Sequence, residues 1–553
     1  VTVATPRAVS NAARACLALG VALGACGRRV DQPSPVSASR ATGVDVQTYR
    51  FELTLPDVGP SIRGRASISF LRDAEVDSLR LDLLLPVDSV LAGGVPTRFT
   101  QHGGRLAILL NAGMADTATV TVIYHGVPDD GLIVSRDRRG HWQAFGDNWP
   151  DRARHWLPTI DHPSDKALVE WTVSAPERLT VVANGALAEK TTTNGRTTWV
   201  WRESRPLPTY LMVIAAAELS VQPIADARCV FVETGGCLQQ TVYTAADSAV
   251  AVPRAFSSAA DIAGFYASIV APFPYEKLAH VQSTTIFGGM ENATAIFYSD
   301  QSFRRGTMNT GTIAHETAHQ WFGDAVTERE WAHLWLSEGF ATYFAELYAE
   351  HALGPSTLVA HMRTLRKGLL TDSDAVRARP VIDTAQTDYM RLLNANSYGK
   401  GAFVLHMARA LLGDSAFFRG VRNYYLAHRH GNAVSDDLRV AFEDVSKRDL
   451  RWFFDQWLRR PGYPEVGTTW SYDRAARRVY LVLEQRSRFG NFRFPLVVEI
   501  ERADGVVVRA TVEVPAAPST QIEFPRALDA SPRRVTLDPD AQLLAVLDPP
   551  RKR

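Results

Sequence analysis

The sharpest chemistry in the sequence sits in His315-Glu316-Thr317-Ala318-His319. On a helix, residues four apart stand on one face, so the two imidazoles can converge on a single metal ion. Neutral imidazole nitrogens suit a borderline-soft ion with a tetrahedral preference, which points to one Zn2+ per chain. Glu316 lies beside the first His and is placed to take a proton from an attacking water rather than to bind the ion. A catalytic zinc site needs a third protein ligand and one open position. The word Trp335-Leu-Ser-Glu338-Gly-Phe-Ala341 supplies Glu338, nineteen residues after His319. That spacing leaves room for the first helix to end, turn and return. His333 is the competing third ligand; it falls before the second helix settles, where a surface or supporting role fits better.

Helices have to carry these side chains, and the periodicity around them supplies helices. Segments 248–270, 307–323, 331–351, 355–370, 397–412, 414–428, 434–447 and 450–459 carry apolar residues at helical spacing, while 279–286 and 293–299 read as extended. The spacing predicts a helix-rich catalytic domain over 226–463, closed by Pro461-Gly-Tyr-Pro464. From 46 to 225 the period is two instead: Tyr49, Phe51, Leu53 and Leu55 alternate, as do Leu79, Leu81, Leu83 and Leu85, and Asn194-Gly195 marks a hairpin. This predicts an N-terminal antiparallel β domain. Strand-like runs at 478–484, 494–501, 506–514 and 534–537 predict a small C-terminal β-sandwich over 464–553. The chain is thus expected to be multidomain α+β, and its 553 residues exceed what one core usually serves. Apolar residues at 46% and charged residues at 22% exclude a mainly disordered or fibrous chain. Lys+Arg 60 against Asp+Glu 59 leaves no cationic surplus to hold a nucleic acid, so none is expected as a partner.

Further words accompany the metal motif. Gly288-Gly289-Met290-Glu291-Asn292 lies upstream, and Tyr398-Gly-Lys-Gly-Ala402 lies downstream. In the β region, Ala153-Arg154-His-Trp-Leu-Pro158 runs through Asp161-His-Pro163 to Lys166-Ala167. In this order, with 315–323 and 335–341, the blocks resemble the gluzincin zinc aminopeptidases, the family of membrane alanyl aminopeptidase and leukotriene-A4 hydrolase. The resemblance runs over about residues 49–464. It implies a thermolysin-like catalytic domain, zinc held by His315, His319 and Glu338, Glu316 as general base, and Tyr398 as a donor to the developing oxyanion. It also implies that Gly288, Gly289, Met290, Glu291 and Asn292 bind the substrate, with Glu291 anchoring its α-amine. The two glycines make physical sense there, because a peptide can lie close against such a backbone as an added strand. Asp147 aligns with a longer Gln or Glu that helps hold the amine in relatives, so it is a candidate with a shorter reach. The resemblance is to a short form lacking the large helical C-terminal domain, which would leave the site more open. The expected activity is release of single N-terminal residues from peptides. The alternatives are a zinc peptidase or hydrolase that needs no free N-terminus, or a non-catalytic surface binding protein. Against the last stand Glu316 and all three ligands.

The N-terminus reads as an address. Arg7 and Arg14 precede an eleven-residue apolar stretch over 15–25, the form of a signal peptide and shorter than the roughly eighteen residues of a membrane span. Leu23-Gly24-Ala25-Cys26 resembles the lipobox of bacterial lipoproteins, with Cys26 as the lipidated residue. Removing 1–25 takes away Arg7 and Arg14 and moves the formal charge from +1 to −1. Residues 26–45 are Pro/Ser-rich and read as a tether. The expected location is the bacterial cell envelope, periplasmic or on the outer-membrane side, with membrane contact through the lipid only. Cys229 and Cys237, separated by a segment containing Gly235-Gly236, then have the spacing and the compartment for a disulfide.

Overall fold

The computed structural model describes residues 43–553 except 74, 111–116, 225–228 and 487. The signal segment 1–25, Cys26 and most of the tether lie outside the described residues. The last residues assigned to the tether are already strand: Val44–Thr54 opens the β domain. A bulge between Val46 and Thr48 resets the alternation, so Val44, Val46, Tyr49, Phe51 and Leu53 all turn inward.

The central sheet of the β domain has nine strands, with Val44–Thr54 between Ile62–Arg72 and Lys166–Pro176. One face is buried, by Ile62, Ala66 and Ile68 on one neighbour and Val169, Trp171 and Val173 on the other. The expectation of antiparallel pairing needs one amendment, since Val44–Thr54 runs parallel to Lys166–Pro176. The chain crosses the domain before returning to the neighbouring position, which a hairpin could not do. A second sheet contains Trp142–Gly146, and its Phe145 meets Phe297 of the catalytic domain edge to face at 6.1 Å.

A five-stranded sheet anchors the catalytic domain, in the order Ser220–Pro223, Gln239–Thr244, Lys277–Ser283, Ala295–Ser299, Gly289–Met290. Its first strand pairs Ser220 with Thr244, so the expected boundary at 225/226 runs through this sheet. The main helices are Ala259–Ile269, Thr310–His319, Trp335–Leu353, Pro355–Thr371, Gly401–Leu412, Asp414–His428, Ser435–Ser446 and Arg451–Leu458. The expected helix 248–270 is broken at Phe256, and 397–412 begins as a π-helical turn over Asn396–Lys400. At the joint between Trp335–Leu353 and Gly401–Leu412, backbones nearly touch. A methyl group on Gly339 would lie 2.9 Å from the Gly401 carbonyl carbon. Beyond residue 464, Glu465–Asp473 and Arg478–Gln485 belong to one sheet and Phe494–Arg502, Val507–Val514 and Pro532–Leu537 to another. Among the described residues, no helix is long and apolar enough to cross a membrane.

The Cys229–Cys237 disulfide is formed. The short loop it closes presents Glu233, which accepts hydrogen bonds from Tyr425 Oη at 2.9 Å, Arg429 at 3.1 Å and His430 at 2.8 Å. The β and catalytic domains are joined by a buried cation. Lys166 Nζ donates to the carbonyls of Asp324, Ala325 and Gly431 at 2.9–3.0 Å. Burial pulls this amine down to about 7. Replacing it with an apolar chain leaves three carbonyls dry, at about 1–3 kcal/mol for an unsatisfied buried group. Lys166→Met is therefore expected to lower unfolding stability by more than about 3 kcal/mol in a denaturant titration. Stability within about 0.5 kcal/mol of the parent would show that the joint does not depend on Lys166.

Candidate active site

The helix Thr310–His319 starts at Asn309, whose side chain accepts from the Thr312 backbone N–H at 3.0 Å. Its last turn carries His315 and His319 on one face, and Trp335–Leu353 brings Glu338 against them. His315 Nε2 and His319 Nε2 are 3.1 Å apart, and Glu338 Oε2 lies 3.3 and 3.4 Å from them. A tetrahedral zinc ion with bonds of about 2.0–2.1 Å has ligand-to-ligand edges of about 3.3–3.4 Å, so this triangle fits the ion. His319 Nδ1 faces the Phe322 carbonyl at 3.1 Å and Ser337 Oγ at 3.0 Å. Donation from Nδ1 to the carbonyl leaves the Nε2 lone pair for a metal. His333, the competing ligand, is held elsewhere by Ser435 Oγ at 2.8 Å.

The electrostatics ask for a cation. Burial opposes charge on His319, but Glu291, Glu338 and Glu316 outweigh it and hold the ring up at about 10. Burial likewise works against ionised Glu338, yet the contacts from His315 and His319 bring it down to about 2.

Gly289–Met290 is the edge strand of the five-stranded sheet, paired with Ala295–Ser299. It lies directly on the base: a methyl group at Gly289 would fall 2.1 Å from Glu316 Oε1. Only glycine allows that approach. The Gly288 carbonyl accepts from the Ser299 N–H at 3.2 Å, while Met290 and Asn292 are buried. Carboxylate oxygens of Glu291 and Glu316 and a nitrogen of His319 lie within 4.8 Å of one another. Burial pushes Glu291 up to about 7, with Glu338 and Asp147 adding to that push and His319 opposing it. Burial also pushes Glu316 well above the ordinary carboxylate range. Tyr398 sits in the π-helical turn, donates to Glu338 Oε1 at 2.7 Å and stacks on His315 with ring centroids 6.0 Å apart. Burial raises its phenol well above the usual value, so it stays a donor at neutral pH.

Asp147, the short-reaching candidate for the substrate amine, is held by protein groups. It is 1% exposed, its Oδ1 accepts from Arg152 at 2.7 Å, and its Oδ2 accepts from Thr285 Oγ1 at 3.4 Å. Both oxygens are engaged by protein. The sequence reading also gave no role to Gln320, which donates to the Glu291 carbonyl at 2.9 Å and to Asp324 at 2.8 Å and accepts from the Thr294 N–H at 2.9 Å. It sits inside the word 315–323, so its place beside His319 was the available signal. Ser337, next to Glu338, carried the same kind of signal. Asn184 of the β domain carried none.

Residues 256–457 match the Peptidase family M1 domain and residues 89–211 the Peptidase M1 N-terminal domain. The chain is 28% identical over 447 residues to the Tricorn protease-interacting factor F2 of Thermoplasma acidophilum, covering 77% of this chain and 54% of that protein. It is 30% identical over 349 residues to the aminopeptidase N of Streptomyces lividans, covering 58% and 38%. The chain thus spans about half the length, or less, of the curated relatives it matches. Among solved structures, an M1 zinc metallopeptidase from Deinococcus radiodurans superposes with a TM-score of 0.65 at 25% identity, over 76% of this chain and 95% of that one. The fold is also shared with the aminopeptidase A of Legionella pneumophila, with a TM-score of 0.78 at 18% identity over 93% and 60% of the two chains. With both of its characteristic domains matched in order and a donor triangle sized for its metal, the chain belongs to peptidase family M1.

Proposed function

We propose that the protein is a zinc aminopeptidase that releases single N-terminal residues from peptides. The observation that carries this reading is the triangle of His315, His319 and Glu338 beside an edge strand that runs over Glu316 and ends at Glu291. An extended peptide can pair with the free edge of Gly289–Met290 and lie across the base. Glu291 then faces the peptide's ammonium group and stops the chain one residue short of the scissile bond. When bound by His315, His319 and Glu338, zinc supplies Lewis-acid activation of water and of the scissile carbonyl. Glu316 takes the proton of the attacking water and delivers it to the departing amine. The Tyr398 hydroxyl, which donates to Glu338 here, would turn its proton to the carbonyl oxygen as that becomes negative.

The proposed setting is the bacterial cell envelope, with lipid on Cys26. The signal-like segment 1–25 and the lipobox-like residues 23–26 support it, together with an oxidised Cys229–Cys237 pair.

Three outcomes test these readings. His315→Ala is expected to lose zinc by elemental analysis, whereas Glu316→Gln keeps zinc and loses about 10²–10⁴-fold in turnover. Glu316→Gln with parental turnover would remove the assigned base. A peptide offered with a free or an acetylated N-terminus is expected to be shortened stepwise only in the free form. Cleavage of both forms would move the assignment to a peptidase that needs no free N-terminus. Radiolabelled fatty acid fed to producing cells is expected to label the parent and not Cys26→Ser, and labelling of both would place the lipid elsewhere.

A further inference from the structure

We propose that Asp147 is a positioning residue, through which the β domain holds the front of the substrate strand in register with Glu316, and is not a ligand of the substrate amine. The kinetic half of this proposal rests on the aminopeptidase reading; the structural half does not.

The segment 288–291 lies at the edge of its sheet, with a paired strand on one side only. Two glycines add backbone freedom where placement matters most. The β domain grips this segment at both ends. Behind it, Asn184 Nδ2 donates to the Ala293 carbonyl at 2.7 Å and to the Leu211 carbonyl at 2.8 Å, while its Oδ1 accepts from the Val213 N–H. The Gly185 N–H donates to Thr294 Oγ1 at 2.8 Å. In front of it, residues 284–287 form a loop whose tip, Ile286, is 71% accessible while Thr285 is buried. Within that loop the Thr285 N–H meets Ser283 Oγ and the Phe287 N–H meets Thr285 Oγ1, both at 3.3 Å. Asp147 supplies the external hold, by accepting from Thr285 Oγ1 and facing the Ile286 N–H. Arg152 fixes Asp147, and is itself fixed by Asp130 at 2.9 Å and by the Trp149 carbonyl at 2.7 Å. The Trp149 ring then meets Phe287 edge to face at 6.1 Å. Residues 147–152 are a socket for 285–287.

An amine reaching Asp147 would have to displace Thr285 or compete with the guanidinium of Arg152, which carries the same charge as the amine. The geometry favours the hold over the ligand. A strand shifted by about an ångström no longer presents the scissile carbonyl to Glu316.

The test compares the zinc-loaded parent with Asp147→Asn, Thr285→Val and Arg152→Met. Zinc content, KM and kcat on a free-amine peptide are read together with hydrogen exchange of the peptides covering 284–291. Each variant is expected to keep zinc, to lose about ten- to a hundredfold in kcat with a smaller change in KM, and to exchange faster over 284–291. The Asp147→Asn/Thr285→Val double variant is expected to be no worse than the poorer single one, as for two members of one contact. A lower KM in Arg152→Met would overturn the proposal, because it would mean that the freed carboxylate binds the amine. So would unchanged exchange in Asp147→Asn beside a lowered kcat. If Arg152→Met does not fold, Thr285→Val, which removes one hydroxyl, decides alone by the same two readouts. If the parent cleaves no peptide, the aminopeptidase reading fails, and faster or unchanged exchange in Asp147→Asn still supports or overturns the hold.

Discussion

The site depends on crowding carboxylates into a largely buried space. Glu291, Glu316, Asp324, Glu328 and Glu338 are all buried, and burial raises the first four above the ordinary range. Glu338 alone is held low, by the two imidazoles it faces. Like charges buried so close together do not all ionise, and protonation is one way to relieve the conflict. A divalent cation relieves it better, because it replaces a shared proton with two charges and fixed bond lengths. Glu328 shows the pressure most plainly: it is 1% exposed, burial raises it to about 8, and neither oxygen finds a hydrogen-bond partner among the described residues.

Such a cluster needs a rigid frame, and much of that frame comes from outside the catalytic domain. Lys166 reaches from the β domain into the carbonyls just past His319, while Lys277 reaches back to the Ala183 carbonyl at 2.9 Å and the Thr294 carbonyl at 3.0 Å. Both amines are buried and depressed by that burial, to about 7 and about 8. Each acts as a hub for backbone carbonyls at the joint. The β domain is therefore part of the site's construction, and two buried lysines are among the side chains that bind it to the catalytic domain.

The metal triangle was legible in the sequence because its logic is local. Two histidines four apart share a helix face, and Glu338 follows at a distance that a turn can span. The role of 288–292 was legible only through the resemblance of Gly-Gly-Met-Glu-Asn to a family motif, since Glu291 taken alone reads equally as a solvated charge at a strand end. Asp147 was not legible. Its partners are Arg152, five residues on, and Thr285, 138 residues away across a domain joint. No periodicity encodes that meeting. The same holds for the parallel pairing of Val44–Thr54 with Lys166–Pro176 and for Ser220–Pro223 joining the catalytic sheet. Period-two patterning identifies strands but not their neighbours. The short helices Asp300–Arg304 and Asp374–Ala378 span little more than one turn, too little for a repeat to appear.

Under the proposed function, the free edge of Gly289–Met290 would read a ligand through main-chain atoms, with the Glu291 carboxylate marking where the ligand begins. Neither feature depends on which side chains the ligand carries beyond its first. A peptide that has lost its leading residue presents the same backbone and a new ammonium group, so each product has the form of the next substrate. Under the proposed function, digestion by such a site would be iterative, with a stride of one set by two glycines and one glutamate.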